Sequence, residues 1–236
     1  MENKMLVNTA KHLIVGLVML SGINHVNAEV QSHSKDIVVE LPSDLPEMAQ
    51  RQGQAMYLHD TTDGRTFLYV EQRHGGRLVV FDVTDPAKLK AVASVIVKTP
   101  SAFDFVRPLG DSAELIRYRN GAGVAVLDLH IPKAPAIKAI GALRRAGHTE
   151  PIGETGFLMV NEPYTFINPV PRDYQVVETS NPAAPALLIT VKMVRQKLTN
   201  ESTGTVYLLG TDGLTVVRRT RVEAEHAADL MQQTGN

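Results

Sequence analysis

Four short runs, AMYLHD, AFDFVRP, HTEPIG and VRQKLT, carry most of the side chains that could do chemistry: His59, Asp104, Arg107, His148, Glu150 and Arg195. The two histidines could serve as general bases. If the runs converge, the mixture of carboxylates and guanidinium groups could grip a small anion or a metal ion. The competing reading is that these charges pair with one another. His59 and Asp60 do not make an acid–base pair by adjacency, because neighbours on a strand point to opposite faces. Asp60-Thr61-Thr62-Asp63-Gly64 starts like a calcium loop but lacks the further ligands and the closing Glu, so it reads as a hairpin turn. P-loop, G-x-S-x-G, H-E-x-x-H and dinucleotide fingerprints are all missing. No motif therefore points to a catalytic residue, a metal or a cofactor.

The elements that must position these residues repeat. LVVFDV from Leu78, VAVLDL from Val124, YQVVET from Tyr174 and LTVVRR from Leu214 align, with Asp82, Asp128, Glu178 and Arg218 in one column and Val80, Val126, Val176 and Val216 two residues earlier. Each run is short and β-branched, as a strand should be. Pro86, Pro132 and Pro182 close the first three, and proline makes a poor ladder partner. Asp82, Asp128 and Glu178 are then expected to accept from turn N–H groups, as Asx residues do. A second apolar run precedes each copy (FLYVEQ, ELIRYR, GFLMVN, TVYLLG), and turn residues lie between in three units. A third run follows the first three copies: LKAVASVIV, AIKAIGAL and ALLITVKMV. The first-named runs complete units of four strands in an up-and-down meander. Short strands at this period predict an all-β fold, a small β-propeller of about four blades of four antiparallel strands. A β-sandwich is the alternative, though it would not need the column register. In a propeller the six charged and histidine residues would gather at the channel mouth.

The stretch FLYVEQRHGGRLVVFDVTDPAKLKAVASVIV, Phe67 to Val97, resembles the LVIVD repeat. The second copy keeps VAVLDL and Pro132, the third keeps the apolar columns and Ser180-Asn181-Pro182, and the fourth keeps LGTDGLTVV without Asp or Pro. The resemblance runs from about Gln54 to Arg219. It implies an exported propeller and no single activity, and its signature positions are structural, so it transfers no catalytic residue.

The ends of the chain carry their own signals. Residues 1–28 resemble a secretory signal peptide: Lys4 and Lys11, then the apolar run Leu13 to Leu20, then Val26-Asn27-Ala28 as a cleavage site before Glu29. An uncleaved anchor is the alternative, although the run is short for a membrane span. Residues 29–36 read as a polar linker. Ile37 to Leu41 reads as a strand, and the fourth unit lacks a good fourth strand, so this strand is expected to close the last blade. The repeat domain is thus expected over residues 37–222, with a short helical or disordered tail over 223–236. An open array completed by dimerisation, or a cryptic fifth blade, are the other arrangements.

The 236 residues are 44% hydrophobic and 21% charged, enough for one sizeable core. A net charge of −1 gives no electrostatic case for nucleic acid or acidic lipid. The absence of cysteine excludes disulfides and thiolate metal sites, and suits a periplasmic or secreted location. The third unit has a long connection, Glu162 to Asp173, in which Tyr164, Phe166, Pro169 and Pro171 form a candidate partner loop. The function expected is an exported, non-enzymatic propeller that binds a periplasmic or envelope protein, peripheral to the membrane at most, with homo-oligomers open. A small hydrolase or lyase using His59 or His148 as base, and a small-ligand sensor, are the other classes.

Overall fold

The computed structural model describes residues 29–140, 148–153, 156–160 and 165–234. Among the described residues the fold is all-β with one α-helix. β1 (Val30–Gln31) and β2 (Ile37–Glu40) open the described chain. The first unit is β3 (Gly53–Asp60), β4 (Thr66–Gln72), β5 (Arg77–Asp82) and β6 (Lys90–Ile96), hydrogen-bonded in chain order. The second is β7 (Phe103–Pro108), β8 (Ala113–Tyr118), β9 (Val124–Asp128) and β10 (Ala136–Ala139), again in chain order. The third unit has β11 (His148–Ile152), β12 (Gly156–Val160), β13 (Arg172–Glu178) and β14 (Ala186–Val194). The fourth has β15 (Gln196–Asn200), β16 (Thr205–Gly210) and β17 (Gly213–Arg219), followed by helix α1 (Thr220–Thr234). All pairings are antiparallel.

Turn chemistry holds the repeat as the column residues predict. Asp82 Oδ1 accepts from the Thr84 N–H and Asp128 Oδ1 from the His130 N–H, both at 3.1 Å. These bonds satisfy N–H groups where the strand stops, before Pro86 and Pro132. Three apolar clusters then join the units. Phe67, Tyr69, Leu78 and Val80 of the first pack on Phe103, Ile116 and Leu127 of the second. Met56, Leu68, Val79 and Phe81 pack on Tyr207, Leu209 and Val216 of the fourth. Val191 and Val194 of the third pack on Leu208. Between the second and third units the links are polar: Arg107 Nη2 donates to Gly156 O at 2.9 Å and Arg117 Nη2 to Thr149 Oγ1 at 3.4 Å.

The two ends of the chain meet in one sheet of order β1-β2-β17-β16-β15. Val39 lies opposite Val217 and Ile37 opposite Arg219, so the strand at 37–40 is the one the fourth unit needed. Residues 29–36 are not a simple linker. Val30 pairs with Val39, and the intervening turn is tied to the third unit by Glu178. Its carboxylate accepts from the N–H groups of His33 and Ser34 and from the hydroxyls of Ser34 and Ser180. Those hydroxyls and N–H groups hold the carboxyl down to about 2. α1 begins at Thr220, earlier than the expected tail.

The third unit departs from four bonded strands. β11 pairs with β12 and β13 with β14, but among the described residues β12 and β13 share no ladder. The connection between them carries Pro169 and Pro171 close to β13, where a missing N–H breaks a ladder.

Gly213 shows how closely the closing segment packs. It starts β17 with φ of 120°, and a Cβ there would lie 2.4 Å from Ala49 O. Gly213→Ala combines a left-handed backbone with a backbone clash, so a loss of roughly 2–3 kcal/mol and a fall in Tm of about 5–10 °C are expected by thermal unfolding.

Candidate functional site

The six residues expected together divide between two places. β3 and β7 run side by side in the same direction: Arg119 bridges Gln54 and Asp104 near the strand starts, and Tyr57 stacks on Phe105 at 5.5 Å further along. At the starts, Arg119 Nη2 donates to Asp104 Oδ1 at 2.6 Å and to Gln54 O at 3.0 Å. Arg195, between β14 and β15, places Nη1 and Nη2 each 3.2 Å from one end of the Gln52 amide, which accepts from both once the amide is turned so that its oxygen faces the guanidinium. Gln196 grips the backbone of Met56 from both sides, its Oε1 accepting at 2.6 Å and its Nε2 donating at 3.1 Å. These side chains occupy the free edge of β3, so Asp104 and Arg195 are committed to protein groups.

At the other ends of the same strands stand His59 and Arg107. His59 is buried, stacked on Tyr57 at 6.1 Å and edge-on to Tyr69 at 6.2 Å. Burial depresses its pKa, with Asp60 and Asp111 opposing. Arg107 lines a cavity of about 530 Å³ with Pro108, Gly110, Asp111, Pro151 and Gly153. Glu150 is exposed on β11 opposite Leu158, and His148 starts that strand opposite Val160, its side chain lying outside the described residues. Strand length separates the groups: Asp104 and Arg107 are three residues apart, roughly 10 Å along β7, too far for one small site. The described residues contain no cluster of His, Asp and Glu fit for a metal ion.

Two buried carboxyls complete the interface between the first two units. Glu71 on β4 accepts from the Gly75 N–H, and Glu114 on β8 faces the Tyr57 hydroxyl and the N–H groups of Arg107 and Val106 beside a β-bulge. Burial pushes Glu71 up to about 7, against Gly75 and Arg119, and Glu114 up to about 8, against Tyr57 and Arg107. Each retains one buried oxygen with no hydrogen-bond partner. Both are therefore carriers of a proton near neutral pH.

The partner loop is half anchored. Phe166 lies under the Arg119 guanidinium, 4.5 Å from its carbon to the ring centre. Beside it Ile167 is 84% and Val170 77% exposed; Pro169 is exposed and Pro171 half-buried, while Tyr164 lies outside the described residues.

Sequence reasoning missed a second arrangement, at the edge of the second unit. Ser112 Oγ is 3.2 Å from His130 Nε2, and His130 Nδ1 is 2.8 Å from Asp128 Oδ1. The column register could have found it, since His130 stands where the other units have hydroxyl residues, Thr84 and Ser180. Compared with family models and with curated proteins, the chain matches none. Among the described residues no helix is long and apolar enough to cross a membrane.

Proposed function

We propose that the chain is an exported β-propeller of the LVIVD-repeat kind that docks on another periplasmic or envelope protein through its third unit. The carrying observation is where apolar surface is left open. Seven of the eleven large hydrophobic side chains exposed among the described residues belong to the third unit, Leu158, Ile167, Val170 and Leu187 among them. Concentrated apolar surface of this kind marks interaction sites. Phe166 on Arg119 fixes one end of the loop, which lowers the ordering cost of presenting Ile167 and Val170. The repeat register, the meander order of the first two units and the pairing of β2 with β17 support the propeller reading. The signal-like segment at 1–28 lies outside the described residues and supports export by its sequence alone.

A photo-crosslinking amino acid placed at Ile167 or Val170 in cells tests the docking. A single stoichiometric partner is expected at these positions and not at Lys88, an exposed residue of the first unit, with capture lost when the other of the two positions is changed to Asp. Recovery of the protein uncrosslinked, or linked only to itself, would overturn the hetero-partner reading.

A further inference from the structure

The edge of the second unit holds a nucleophile, a base and an orienting carboxylate in sequence. Asp128 ends β9, and Ala113, which follows Ser112, lies directly opposite it in the ladder. The Leu129 N–H donates to Ser112 O at 2.8 Å, so the backbone fixes the separation of the three residues. Asp128 Oδ1 accepts from both the backbone N–H of His130 and its ring Nδ1, at 3.1 and 2.8 Å. Lys138 Nζ takes the other carboxylate oxygen, Oδ2. The ring is thereby locked although its side chain is 74% exposed. With Nδ1–H facing the carboxylate, Nε2 is the free acceptor, and Ser112 Oγ–H is 3.2 Å away.

The fold does not itself require this imidazole. In the first unit Thr84 holds the equivalent place: its N–H donates to Asp82 and its Oγ1 accepts from the Thr66 N–H at 3.1 Å. In the third, the Ser180 hydroxyl donates to Glu178 at 2.7 Å. A hydroxyl suffices for the turn, yet the second unit pairs an imidazole with a serine.

We propose that Ser112, His130 and Asp128 form a hydrolytic site for carboxylic esters of small acyl groups. Ser112 Oγ attacks the acyl carbon while its proton passes to His130 Nε2. The tetrahedral adduct collapses, the bond to the leaving oxygen breaks, and that oxygen takes the proton from His130. Water then attacks the acyl-serine, gives its proton to His130, and Ser112 leaves with that proton as the acid is released. The N–H groups of Gly110, Asp111 and Ser112 make no hydrogen bond among the described residues, and they are the donors available to the oxyanion. Gly110 and Asp111 also line the 530 Å³ cavity, which opens one residue along the chain from the serine; Ser112 and His130 themselves are not among its walls. Because the ring stands in water, turnover will be slow, and covalent capture is the decisive readout.

The full chain is treated with diisopropyl fluorophosphate at pH 8 and mapped by mass spectrometry, and p-nitrophenyl acetate hydrolysis is followed beside it. A single adduct on Ser112 is expected. Adduct formation and hydrolysis should disappear in Ser112→Ala and fall by about 100-fold or more in His130→Thr, the general-base contribution, with Tm unchanged because threonine serves there in the first unit. No adduct on Ser112 in folded protein, equal labelling in His130→Thr, or full hydrolysis by Ser112→Ala would each overturn the proposal.

Discussion

A chain that begins at Arg51 is expected to lose cooperative unfolding or to melt at least 15 °C below the chain that begins at Glu29. Three losses coincide. Val38, Val39 and Leu45 are buried at 4%, 0% and 6% exposure, and exposing side chains of this size costs about 1.5–3 kcal/mol each. β17 loses the ladder from Glu40 to Ile37 and becomes an edge beside the core. Arg218, which bridges Glu40 at 3.1 Å and Glu223 at 2.8 Å, loses its partner from the first segment. The summed loss approaches the roughly 5–15 kcal/mol of a whole domain. Ending the chain at residue 226 instead takes away helix that is exposed from 227 to 232 and should move Tm little. Thermal unfolding of the two truncations side by side checks this. Equal melting of the Arg51 chain and the Glu29 chain would mean that the closing pairing contributes no global stability.

Why this closure was legible in sequence while other features were not comes down to what alternation encodes. Ile37 to Leu41 is apolar and isolated before two prolines, and the fourth unit was visibly one strand short; two local facts gave one non-local pairing. The strands of all four units were legible for the same reason, because period and turn chemistry are local. The hairpin at 30–39 was not, because Glu-Val-Gln-Ser-His-Ser-Lys-Asp has no periodic apolar face; its order comes from Glu178, some 145 positions away. The split third unit was hidden too, since its apolar columns match the others and only the proline-bearing connection hints at a lost ladder.

The candidate site was harder still. Asp104 and Arg107 were identified as charged residues on the right strand and Arg195 falls between two strands, but which end of a strand each residue occupies decides whether they can meet. Arg119 and Gln196, which do the pairing, gave no signal because a lone Arg or Gln on a strand reads as solvent-facing. Glu71 and Glu114 were missed by the same rule. On β4, however, six of seven residues are buried, so alternation no longer sorts inside from outside. A strand packed on both faces must carry its polar residues into the interior.

Those two carboxyls set the expected pH response. An ordinary Glu releases its proton near 4.5, whereas the fold retains protons on Glu71 to about 7 and on Glu114 to about 8. Between 4.5 and 8 the unfolded chain therefore holds fewer protons than the folded one, and stability falls as pH rises. Below 4.5 this contribution is fully present; above 8 it is gone. At about 1.4 kcal/mol per unit, the shift of Glu71 alone amounts to roughly 3 kcal/mol, and the larger shift of Glu114 adds to it. Glu178, held down to about 2, acts in the opposite sense and only in acid, where stability is lost as pH falls from 4.5 toward 2. The two windows do not overlap; between pH 5 and 8 the group acting against the buried pair is His59, whose burial-depressed pKa makes stability rise with pH toward 6.5, so the difference in slope between the wild type and a variant without the two carboxyls isolates the pair. Denaturant unfolding of the full chain should show stability falling by about 3 kcal/mol or more across that range. In Glu71→Gln, Glu114→Gln, whose amides keep the shape and accept from Gly75 and Tyr57 without titrating, the slope should flatten and the protein should be the more stable of the two at pH 8. Profiles of the same slope from pH 5 to 8 in the wild type and in the double variant would mean both carboxyls are ionised in the fold, with Arg119 and Arg107 as their counter-charges.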